Sequence, residues 1–193
     1  MKIYLIRHGE SASDVKEKYD GDYDDHLTES GLKDAETIAE KLLDSQIQVI
    51  FSSPKIRALE TAEVLKNILQ CEVVVLDDMS EQDIYGAYPD LSKDFPEEEY
   101  RRLGEVLADR EGETAGVESY ARFKERIIRC FAEIIKQDYQ AVAVITHGGP
   151  IRCILREVLK LGEMGKMSNG AIIELENGGE GLKVLRMDGV VIK

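Results

Sequence analysis

The sequence predicts an α/β protein: a three-layer α/β/α sandwich with a mostly parallel central sheet and a helical and loop excursion inserted over the active site. Three observations carry that prediction. Short apolar runs alternate along the chain with longer segments of helical periodicity, the pattern of right-handed βαβ units. Two of the three histidines, His8 and His147, each close such a run, and each is followed by glycine. Open α/β sheets hold their ligands at these carboxyl ends of strands.

The elements follow in order. Residues 3–6 read as a buried strand leading into Leu5-Ile6-Arg7-His8-Gly9-Glu10-Ser11. Residues 28–44 read as an amphipathic helix with Leu32, Ala35, Ile38, Ala39, Leu42 and Leu43 on one face and Thr28 as its cap. A strand at 48–51 precedes Ser52-Ser53-Pro54, which predicts a serine N-cap, proline near the first helical position and a helix to about residue 69. Residues 72–76 form a β-branched strand. The polar, acidic stretch 77–116 reads as a lid-like insertion with one helix at 97–107. The regular pattern resumes with a helix at 119–136, a strand at 141–145 and a helix at 150–161. Two strands, 171–175 and 183–187, joined by the turn Asn177-Gly178-Gly179, close the sheet. No repeat or linker divides the chain, so 1–193 is expected to be one domain.

Acidic residues outnumber basic ones by 38 to 25, a net charge of −13. That argues against nucleic acid or an anionic membrane surface as a partner. It also means that an anionic substrate must be drawn in by a local cationic cluster. The first residues are too briefly apolar for a secretory signal, and no run is long enough to span a membrane. Cys71, Cys130 and Cys153 are odd in number and lack CxxC spacing, which predicts reduced thiols in a cytoplasmic protein. A homodimer is compatible with the sequence but not required by it.

The chemistry-bearing residues share one theme. Arg7 offers a planar fork of donors for phosphate oxygens. His8 beside it is a competent nucleophile toward phosphorus when neutral. Gly9 permits close backbone approach to a ligand. Arg57, on the helix after Ser52-Ser53-Pro54, supplies a second clamp. His147, followed by Gly148 and Gly149, can donate to another phosphoryl oxygen. A carboxylic acid is still needed to protonate a leaving alkoxide. No clustered set of metal ligands stands out, so no metal or cofactor is expected.

Taken together and in order, these residues resemble the histidine phosphatase superfamily, which includes the cofactor-dependent phosphoglycerate mutases. Arg7-His8-Gly9-Glu10-Ser11 is similar to its signature. So are Leu27-Thr28-Glu29-Ser30-Gly31 with Ala35, and Ser52-Ser53-Pro54 with Arg57-Ala58 and Thr61-Ala62. Glu118-Ser119 before a helix bearing Phe123 and Arg126, His147-Gly148-Gly149, and Asn169 complete the resemblance. It implies that His8 becomes phosphohistidine, that Arg7, Arg57, His147 and Gly148 hold the phosphoryl oxygens, and that no metal takes part. It implies Glu81 as general acid and then base, with Asp78 and Asp83 as the alternatives. Ser11 and Asp14 are placed beside the substrate. The family usually has asparagine where Asp14 stands. A carboxylate there repels phosphate unless it is protonated, turned away or paired with a cation. Asp20, Asp34 and Glu60 stand where glutamines are usual.

The reaction so implied is hydrolysis of a small-molecule phosphate monoester in two in-line displacements. His8 must be neutral, with its other ring nitrogen held by a backbone carbonyl, and the rate profile is expected to be bell-shaped on the acidic side of neutral. Two other readings remain: mutase-type transfer back to a phosphoglycerate, and a non-catalytic module that binds phospho-ligands. The acidic run Asp20, Asp22, Asp24 and Asp25 reads as a solvated turn, or alternatively as a pocket border selecting a cationic substrate.

Overall fold

Alternation along the first strand sets up the layers. The computed structural model describes residues 1–15, 24–83 and 116–192, together with positions 98, 101, 105, 110 and 112. In β1 (Lys2–Arg7), Ile3 and Leu5 face one side of the sheet while Tyr4 and Ile6 face the other, as the two-residue repeat of a strand requires. The first side packs on α4 (Tyr120–Ile135), through Phe123, Ile127 and Phe131, and on α5 (Gly148–Cys153). The second packs on α2 (Glu29–Lys41), through Ala35, Ile38 and Ala39, and on α3 (Ile56–Leu69), through Ala58, Ala62 and Leu65. Helices on both faces make the three layers. A short helix, α1 (Ala12–Val15), follows β1.

β2 (Val49–Ser52) and β4 (Ala141–Thr146) are buried at every position. Strands covered on both faces read as continuous apolar runs for that reason. With β3 (Glu72–Val75), β5 (Met164–Gly178) and β6 (Gly181–Ile192), the sheet order is β3-β2-β4-β1-β5-β6. β3, β2, β4 and β1 pair in parallel; β5 is antiparallel to β1 and β6 to β5.

Several expectations need correction. Leu32 and Leu43 were placed on the buried face of α2, but they are 44% and 57% exposed. The first turn of α2 seats through Gly31, where a Cβ would come within 1.9 Å of the Glu10 carbonyl oxygen, and Leu43 lies past the helix end. Helix α3 begins later than Pro54: its cap position is Lys55, and the carboxylate of Asp24 accepts from the Ile56 amide at 2.7 Å. The helix expected over 150–161 is α-helical only to Cys153, widens to a π-turn over Ile154–Val158, and is followed by left-handed Lys160 (φ 58°). The last two strands are longer than their apolar centres suggest. Asn177 and Gly178 lie in β5, so the turn falls at residues 179–180. Most of the insertion lies outside the described residues, as do Asp20 and Asp22; of its expected helix, Glu98, Arg101 and Glu105 are helical.

Candidate active site

Strand register brings the two histidines together. β1 and β4 pair Arg7 with Thr146, so the next residue on each strand is its neighbour's counterpart across the sheet edge. His8 and His147 meet with ring centroids 5.1 Å apart, edge to face. β2 pairs Ser52 with Ile145 on the other side of β4. Ser53 thereby reaches His147, its hydroxyl 2.8 Å from Nε2.

His8 Nδ1 lies 2.7 Å from the carbonyl of Gly9. A carbonyl only accepts, so Nδ1 carries the proton and Nε2 the lone pair. The Nε–H of Arg57 donates to that Nε2 at 3.1 Å. Burial first, and the Arg57 charge second, lower the His8 pKa to about 3. Burial and then the neighbouring His8 hold His147 well below the usual histidine value. Both imidazoles are therefore neutral near pH 7, the state a nucleophile needs. His147 Nδ1 and Arg7 Nε are buried with no hydrogen-bond partner among the described residues. Arg7 Nε is a donor that a phosphoryl oxygen can satisfy, and Nδ1 is a second one in the tautomer in which the Ser53 hydroxyl donates to Nε2.

Arg7 and Arg57 each have a carboxylate of their own. Arg7 donates from Nη2 to Asp14 at 2.6 Å and from Nη1 to the Met167 carbonyl at 2.7 Å. Asp14, in the place of the usual asparagine, is thus the cation-paired carboxylate among the three alternatives set out above. Its other oxygen accepts from the amide and hydroxyl of Ser11, at 2.9 and 2.8 Å. Ser11 is fully buried, its hydroxyl turned to Asp14 and Ser13. Asp25, also buried, lies 3.6 Å from Arg57 Nη1 and accepts from the Ser13 amide and hydroxyl. Asp24 caps α3. The solvated-turn reading of the acidic run therefore fails for Asp24 and Asp25, which hold structure. Asp34 and Glu60 accept from the amides of Glu10 and Leu27, which a glutamine oxygen can also do.

Glu81 is docked against the chain just past His147. It accepts from the Gly149 amide, two residues past His147, at 3.0 Å. A Cβ on Gly149 would stand 1.9 Å from Glu81 Oε1, so this glycine is where the carboxylate docks. Asp78 pairs instead with exposed Arg129, and Asp83 is exposed. The segment carrying Glu81 is held by Arg126, which donates to the carbonyls of Asp78, Ser80 and Glu81 and grips Glu118 with two further bonds. An open cleft between Lys55, Glu81, Arg122 and Arg126 leads outward from there.

Sequence reasoning missed Ser53, Asp25 and the action of Arg126 on the Glu81 segment, although Ser53 and Arg126 lie inside the quoted motifs. Gly9 has a packing role that its sequence context did not reveal: a Cβ there would come within 2.3 Å of the Gly31 carbonyl oxygen, so this glycine lets the end of β1 pack on α2. Its amide donates to Thr61 Oγ1 at 3.2 Å.

Fold and site together have the make-up of a phosphoryl-transfer enzyme built on histidine. Residues 3–188 match the model of the histidine phosphatase superfamily, branch 1, and the chain belongs to that family. It is similar to a metal-independent phosphoserine phosphatase of Arabidopsis thaliana, 29% identical over 177 residues, covering 89% of this chain and 74% of that protein. Phosphoserine phosphatase 1 of Hydrogenobacter thermophilus is 31% identical over 160 residues, 80% of this chain and 74% of that one. Among solved structures, a mycobacterial glucosyl-3-phosphoglycerate phosphatase in complex with VO3 superposes with a TM-score of 0.78 at 25% identity, over 100% of this chain and 99% of that one.

Proposed function

We propose that this phosphatase, a hydrolase of small phosphate monoesters, works through His8 as the atom that accepts phosphorus. The observation that carries the reading is the pairing at His8: the proton fixed on Nδ1 by Gly9 and the Nε2 lone pair aimed at Arg57. The phosphoryl group enters between Nε2 and the donors of Arg57, Arg7 and His147, with the Gly148 backbone alongside. Those donors take up the charge of the transferring group. Glu81 gives its proton to the leaving oxygen, then takes one from the water that cleaves the phosphohistidine. The relatives' names, which include phosphoserine and glucosyl-3-phosphoglycerate, favour a small phosphorylated metabolite. Three free thiols, two of them buried and with raised pKa values, favour a reducing, cytoplasmic setting.

The test is phosphate release from an aryl phosphate in the presence of EDTA, for the wild type and His8→Ala. Release should persist with the chelator and disappear with the histidine. Release that survives His8→Ala overturns the mechanism. Incubation with a phosphoglycerate separates hydrolysis from mutase-type transfer: free phosphate should dominate over isomer.

A further inference from the structure

Arg152 has no part in the reaction as described, yet it stands at the site. It lies four residues after Gly148 on α5, and helical side chains lean toward the N-terminus of their helix. Its guanidinium accordingly returns over Gly148: Nη1 lies 2.6 Å from the point that a Cβ on Gly148 would occupy. Nη2 donates to the Gly165 carbonyl at 3.2 Å. Two residues further along β5, the Met167 carbonyl holds Arg7. One strand thus seats two guanidinium groups, and the charges that act most strongly on Arg152 are those of Arg7 and Glu81.

The arginines differ in one respect. Arg7 has Asp14 and Arg57 has Asp25. Arg152 is partly buried and makes no ion pair among the described residues. Burial and the Arg7 charge pull its pKa below the ordinary arginine value. The Glu81 and Glu163 charges offset part of this, but a partly buried cation beside a second cation, hydrogen-bonded to one carbonyl and ion-paired to no described residue, is stabilised further when an anion meets it. The Arg7, Arg57 and His147 donors suffice for the phosphoryl oxygens. The organic part of the ester must leave on the Glu81 side, because Glu81 protonates the departing oxygen, and Arg152 faces that side. A planar fork of donors suits a carboxylate.

We propose that Arg152 binds a carboxylate of the substrate, so that the preferred ester carries a carboxylate close to its phosphorylated carbon. This rests on the His8–Glu81 geometry of the proposed reaction. It is tested by a ratio: kcat/KM for O-phospho-L-serine over that for O-phosphoethanolamine, which lacks only the carboxylate. The pair 3-phosphoglycerate and glycerol 3-phosphate repeats the comparison without an amine. The wild type should favour the carboxylated member of at least one pair. Arg152→Gln should lower that ratio about ten- to hundredfold, as for loss of a charged hydrogen bond. Arg152→Lys, which keeps the charge and loses the fork, should fall between. The ratio does not depend on the fraction of folded enzyme.

A wild type indifferent to the carboxylate overturns the proposal. So does an equal loss on both esters with the ratio unchanged, which would assign Arg152 to Glu81 or to the phosphoryl group. Neither result touches the His8 mechanism, whose own failure shows as release surviving His8→Ala.

Discussion

The Nε–H of Arg57 donates to His8 Nε2 across 3.1 Å. In the proposed reaction, the nitrogen that attacks phosphorus is thus covered by the arginine assigned to a phosphoryl oxygen. On binding, that donor has to pass from the imidazole to the ester. Lysine cannot copy an Nε–H with a planar fork beyond it. Arg57→Lys should lower kcat for an aryl phosphate by about a hundredfold or more, the loss typical of one transition-state donor. A variant within a fewfold of wild type would separate Arg57 from the chemistry.

Arg57 is in turn held by Asp25, 3.6 Å away with both side chains buried. Removing one member of such a pair leaves the other charge uncompensated. Asp25→Asn should cost about 3 kcal/mol of stability by denaturant titration, with a smaller loss of kcat than Arg57→Lys. Unchanged stability would mean that the acidic run is dispensable after all.

Acid stability follows from the buried imidazoles. Free histidine titrates near 6.5; His8 is lowered to about 3 and His147 well below 6.5. Between those values the unfolded chain binds protons that the folded chain refuses. Stability should therefore fall as pH drops from about 6.5 toward 3, by up to about 1.4 kcal/mol per pH unit for each histidine. Above about pH 7.5 neither contributes a slope. His147→Gln removes one of the two groups and should flatten the dependence between pH 6.5 and 4.5. An identical slope in the variant would show that other groups set it.

Asp14 poses the opposite test, since it holds negative charge on Arg7, which the proposed mechanism assigns to the phosphoryl oxygens. Asparagine removes the charge and can keep the Arg7 bond through its one acceptor oxygen, giving up the bond that the Ser11 amide makes to the second carboxylate oxygen. Asp14→Asn should tighten inhibition by inorganic phosphate about fivefold, an order-of-magnitude figure for relief of one nearby like charge. Weaker inhibition would show that the carboxylate is needed to orient Arg7.

The layered fold was legible because period and burial speak directly in sequence: β2 and β4 are apolar up to their last residues, Ser52 and Thr146, and α2 carries Ala35, Ile38 and Ala39 at helical spacing, with Leu42 at its C-cap. His8 and His147 were legible because each ends a strand before glycine. Ser53 was not, because its contact with His147 depends on the register of β2 against β4. Asp25 was hidden among four aspartates of one run, and nothing local tells which of them points inward. The packing roles of two glycines were equally hidden: the atoms that exclude a side chain at Gly9 and Gly149 belong to Gly31 and Glu81, both far away in sequence.

Arg126 and Glu118 bear on the acid without touching it. Three carbonyls of the Glu81 segment and both oxygens of Glu118 converge on one guanidinium. The three carbonyl bonds fix the backbone of that segment, and the Glu118 pair fixes the guanidinium that makes them, so together they set where the Glu81 carboxylate meets the Gly149 amide. Lysine at 126 cannot reach three carbonyls and a carboxylate at once. Arg126→Lys should therefore lower kcat about tenfold or more through a misplaced acid, with KM little changed. The loss should be the same for carboxylated and carboxyl-free esters, which sets it apart from the pattern expected at Arg152. In kcat/KM, which reports the first displacement, an aryl phosphate whose leaving group needs little protonation should largely escape the loss. If it suffers equally, Arg126 supports the fold of the site as a whole and not the placement of its acid.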